Sequence, residues 1–88
     1  MSYSLAKQFY TDIDKVAQKQ AGQFVDAAHI TIFNALLTEA KSKHPNDTVL
    51  QALPQAEGDV RYSDMLARAG LLMQILKDVD AGPHLGIL

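Results

Sequence analysis

Cysteine is absent from the 88 residues. That removes disulfides, thiolate metal sites and cysteine nucleophiles together, and sets aside the small stapled secreted scaffold. Long hydrophobic runs are missing too, and nothing approaches the ~20 apolar residues of a bilayer-crossing helix. The start, Met1-Ser2-Tyr3-Ser4-Leu5-Ala6-Lys7, lacks the charged region and apolar stretch of a signal peptide. These absences make the cytoplasm the expected address, with no membrane role.

An excess of positive charge is also missing, since 8 basic residues face 10 acidic ones for a net charge of −2. Residues 1–43 carry five lysines against four carboxylates, net +1, whereas residues 44–88 carry three basic against six acidic groups, net −3. Neither half has the basic stripe that neutralises a phosphate backbone, so nucleic acid is not the expected partner.

Signatures of chemistry are equally sparse. Gly22, Gly58, Gly70, Gly82 and Gly86 are too dispersed for a phosphate loop, and no serine, threonine or lysine sits in a recognised nucleophile setting. His29, His44 and His84 do not share the i, i+4 spacing that brings two imidazoles onto one helix face. Asp78-Val79-Asp80-Ala81-Gly82 resembles the start of a calcium loop, but Pro83 follows and the downstream glutamate is missing. No catalytic residue, metal or cofactor is expected, and the chain is not expected to be an enzyme.

What is present is helical periodicity. The length permits one domain, and an apolar fraction of 48% is that of a folded chain. For this mass, surface scaling gives about 5,000 Å² exposed after folding and burial near 60%, a thin margin that a second copy or partner would widen. Residues 4–20 place Leu5, Ala6, Phe9, Tyr10, Ile13, Val16 and Ala17 in an arc of roughly 140°. Residues 23–43 carry two apolar stripes, one through Phe24, Val25, Ala28, Ile32, Ala35 and Leu36 and another through Ile30, Phe33, Leu37 and Ala40. Only Thr31, Asn34, Thr38 and Lys41 read as solvated, and Pro45 stops the helix after Lys41, Lys43 and His44.

Asn46 or Asp47 can cap a short helix over 47–53, ended by Pro54. A polar loop built around Gly58 follows. Ser63 is the expected cap of a last helix, 63–80, closed by Gly82-Pro83, with apolar residues over roughly 220° of its circumference. The expected fold is all-α, one domain over 1–88, a small bundle of three long helices plus one short helix.

The polar residues that sit oddly are His29, Arg68 and Glu39. His29 lies between the two stripes of the second helix and is expected to be satisfied by a buried hydrogen bond. Arg68 points into an apolar arc and is expected to pair with Asp64 one turn earlier, and Glu39 with Lys43. The surplus apolar surface of the second and fourth helices gives the leading expectation: a non-enzymatic interaction or regulatory domain, working as a homodimer through Ile30, Phe33, Leu37, Leu66 and Met73. One alternative is a small acidic inhibitor or antitoxin-like protein that uses Asp78 and Asp80 to block a basic site on a target protein. Another is a small-ligand-binding bundle using His29 with Arg68 or Glu39.

Overall fold

The computed structural model describes the backbone of residues 2–87 and the side chains of residues 3–79. Four helices follow one another, α1 (Ser2–Gln20), α2 (Ala27–Lys43), α3 (Thr48–Ala52) and α4 (Tyr62–Ile87). The expected all-α class is observed. Among the described residues no helix is long and apolar enough to cross a membrane. The accessible surface, 5578 Å², exceeds the roughly 5,000 Å² of an average fold of this mass.

The main packing pair is α1 with α4. Ala6, Phe9, Ile13 and Ala17 are buried on α1, and Tyr62, Met65, Ala69, Leu72 and Leu76 on α4. The α4 set repeats at spacings of three and four, the narrow seam a facing helix can cover. The two helices run antiparallel, since the Ser63 N–H donates to the Ala21 carbonyl at 3.0 Å and Gly70 lies over Tyr10. A Cβ built at Gly70 would stand 3.2 Å from the Tyr10 ring, so this mid-helix glycine lets the ring approach α4 closely.

The second helix starts four residues later than its periodicity predicts. Residues 23–26 are extended because they pair across the molecule: Val25 N–H donates to Val60 O at 2.8 Å, and Tyr62 N–H to Gln23 O at 2.9 Å, around an antiparallel bridge between Phe24 and Arg61. Backbone bonds to a segment 35 or more residues away outweigh one further turn of helix. The bridge ties the α1–α2 junction to the α3–α4 junction, so the chain is two helix–loop–helix halves joined at their loops. Phe24 remains 56% exposed, with the Arg61 guanidinium 4.4 Å over its ring and also bonded to the Gly22 carbonyl.

The polar side of α2 is the anchor of the 53–61 loop and not a free solvated wedge. Asn34 grips Ala56 twice, accepting from its N–H at 2.7 Å and donating to its carbonyl at 2.9 Å. Lys41 donates to the Leu53 carbonyl, and Gln55 donates to Thr38. Ala56 and Val60 are thereby held in the core. Asp47 caps α3 by accepting from the Leu50 N–H at 2.9 Å. Gln51 of α3 reaches back to the Lys41 and His44 carbonyls at the end of α2.

Two further expectations change at α4. Ser63 is not its cap, since the helix begins at Tyr62 and the Arg61 carbonyl already accepts from Met65 N–H at 2.9 Å. Nor does Gly82-Pro83 end it, because the backbone stays helical to Ile87. Proline's fixed φ is itself helical, and its ring removes one hydrogen bond without forbidding the conformation.

Candidate functional site

The apolar residues expected at an interface are divided by the fold. Phe33 and Leu37 are 1% and 0% exposed, which corrects their assignment to an outward stripe: they are core. Ile30, Leu66 and Met73 are half-buried against that core. Among the described residues, the large apolar side chains most open to water are instead Leu5, Phe24, Ile32, Val49 and Leu71.

Leu5 and Ile32 mark the lips of a groove between α1 and α2, with a volume of about 280 Å³ and a lining of Leu5, Gln8, Phe9, Asp12, His29, Ile32 and Leu36. Its floor is aromatic, the Phe9 ring lying 6.0 Å from Phe33 and 6.3 Å from His29. Leu5 is 50% exposed and Ile32 47%. The groove arises because Leu5, Phe9 and Asp12 share one flank of α1, while His29, Ile32 and Leu36 share the facing flank of α2.

His29 forms the inner end of the groove, and its chemistry follows from Tyr62. The Tyr62 hydroxyl is buried with its ring, accepts from the Asp26 N–H at 3.3 Å and lies 3.1 Å from His29 Nδ1. The hydroxyl therefore links the His29 ring to the backbone that opens α2. The same hydroxyl caps the start of α2 from outside, where the Asp26 side chain makes no cap bond. The expected satisfied histidine is what the structure shows.

The other odd polar residues are not gathered here. Glu39 pairs with Lys43 at 3.1 Å on the surface. Arg68 does not pair with Asp64; its Nη1 is buried without a hydrogen-bond partner. Neither Glu39 nor Arg68 lines the groove with His29, so the three do not form one pocket. Among the described residues no group of three or more His, Asp or Glu converges as a metal site would require.

The Asp78 carboxylate accepts from Gln74 at 3.3 Å, while the Asp80 side chain lies outside the described residues. Because α4 continues to Ile87, neither stands in a last turn opposing the helix dipole. A second, polar depression of about 380 Å³ lies at the α2–α3 corner among Lys43, His44, Pro45, Asn46, Asp47 and Val79. No protein-family model matches the chain, and no curated protein or solved structure matches it.

Proposed function

We propose that this chain is a non-enzymatic protein-binding domain whose contact surface is the groove between α1 and α2. The observation that carries the reading is the groove itself: Leu5 and Ile32 half exposed over a Phe9 floor. At about 280 Å³ it lies just below the roughly 300–1,000 Å³ of small-molecule pockets and is too open to enclose a ligand. It is suited to receive a few apolar side chains projecting from another surface. Catalysis has little support there, since His29 is already committed through Nδ1 to Tyr62 and has no nucleophile beside it.

The walls also select the form of the partner. Both are helices whose backbone groups are used internally, and the lining offers no open strand edge. A segment buried against it must satisfy its own backbone hydrogen bonds, as a helix does. The test is an NMR titration with a synthetic amphipathic helix of leucine and lysine. Amide and methyl shifts are expected at Leu5, Phe9, Ile32 and Leu36. Shifts confined to other surfaces, or none at millimolar peptide, would refute the reading.

A further inference from the structure

We infer that the occupant of this groove is α4 of a second copy of the chain, laid antiparallel to α1 through Arg68, Leu71 and Ile75, with Arg68 against Asp12. The inference rests on the protein-binding reading above and names the partner. Asp12 is the one carboxylate lining the groove, no lysine or arginine lines it, and among the described residues Asp12 has no ionic partner. A helix that brings both apolar side chains and a cation complements this lining.

Helix α4 carries such a set beside its own seam, with Leu71 exposed and Arg68 and Ile75 half-buried. Arg68, Leu71 and Ile75 stand at i, i+3 and i+7, hence on one face. Leu71 is 46% exposed and Ile75 half-buried. Arg68 Nη1 has no acceptor where it lies, so turning the guanidinium outward to a carboxylate breaks no hydrogen bond at that nitrogen and supplies the missing one.

The spacings match. Leu5 and Asp12 are seven residues apart on α1, and Arg68 and Ile75 seven apart on α4; each pair spans about 10.5 Å along its axis. With the helices antiparallel and Arg68 at Asp12, Leu71 falls over Phe9 and Ile75 reaches Leu5. One turn beyond, Asp64 comes level with Val16, beside Lys15 and Lys19, which gives a second match of opposite charge. Exchange of α4 faces between two copies, each filling the other's groove, makes a two-fold contact in which every pairing occurs twice.

Light scattering over a concentration series tests this. The wild-type chain is expected at twice its 9.6 kDa mass. Asp12→Arg and Arg68→Asp are each expected to weaken self-association by roughly tenfold or more, and the double variant to recover most of the loss, since the pair re-forms with its signs exchanged. Leu71→Asp alters a position already open to water, so it should keep the circular dichroism and urea midpoint of the fold while dissociating the dimer. It carries the test if Arg68→Asp does not fold.

A monomer at high micromolar concentration overturns the inference. So does a dimer indifferent to Leu71→Asp and Asp12→Arg, or a double variant no tighter than the singles. A monomer whose groove still binds the leucine–lysine peptide would discard the second copy while leaving the protein-binding reading in place.

Discussion

Helix α1 has two neighbours and treats them differently. Toward α4 its side chains meet a three-four repeat of buried residues, and Gly70 removes even a Cβ to let Tyr10 in. Toward α2 the contact rests on Phe9 against Phe33 and His29, and beyond these rings Leu5 and Ile32 stay half exposed. The cause lies in α2. Its fully buried residues, Phe33, Leu37 and Ala40, point to the core, and its far side is committed to the 53–61 loop through Asn34 and Lys41. The flank with Ile32 and Leu36 is left over. A helix held from behind by a loop does not close over its neighbour as α1 and α4 close on each other, and the open side is where a partner finds apolar surface.

The sharpest way to break this contrast is to remove volume from the closed side. Leu72 is 1% exposed, and Leu72→Ala is expected to cost about 2–5 kcal/mol through lost burial and the cavity left behind. Against the usual 5–15 kcal/mol of total stability, this is enough to lower the urea midpoint sharply. A loss below about 1 kcal/mol would mean that the seam is packed no better than the groove.

The seam was legible in the sequence because its signal is local. Ala6, Phe9, Ile13 and Ala17, then Met65, Ala69, Leu72 and Leu76, repeat within single helices, and repetition at 3.6 residues is what periodicity detects. The cap at Asp47, the Glu39–Lys43 pair and the satisfied His29 were legible for the same reason or from side-chain chemistry alone. Phe24 and Val25 were misread because they also fit a helical period, while the bonds that extend them come from Val60 and Tyr62. The groove was invisible for a related reason: Leu5 looked like an ordinary member of an amphipathic face, and Phe33 like a member of a surplus stripe. Which flank of a broadly apolar helix is covered depends on a crossing between helices, and that is not encoded in either helix alone.

The loop that holds α2 from behind offers a second, smaller perturbation. Asn34→Ala leaves both the N–H and the carbonyl of Ala56 without their side-chain partner. Ala56 is 4% exposed, so water replaces the lost bonds poorly, and a loss of about 2 kcal/mol is expected. Native-state hydrogen exchange should show the Ala56 amide losing protection before the α1–α4 seam does, which places the effect in the loop. Asn34→Asp keeps the acceptor for the N–H but sets a carboxylate oxygen against the Ala56 carbonyl, so it should lose at least as much as alanine. An aspartate variant as stable as wild type would show that side-chain shape and the bond from the Ala56 N–H suffice without the donor.

The smallest effect on folding is expected at the groove, and its smallness is the informative part. Ile32 is 47% exposed, so Ile32→Ala forfeits only part of a side chain's burial, offset by alanine's better helix propensity; its stability should stay within about 0.5 kcal/mol of wild type. The measurement belongs at low micromolar concentration, where association contributes least to the apparent stability. If Ile32 served only the fold, nothing further would change. A groove that receives another helix loses an anchor instead, so the same variant should weaken self-association or peptide binding several-fold while its urea midpoint holds. Leu72→Ala should do the reverse, lowering the midpoint while the chain that remains folded still associates. That crossed pattern is the one that a closed structural face and an open binding face on the two sides of α1 must produce.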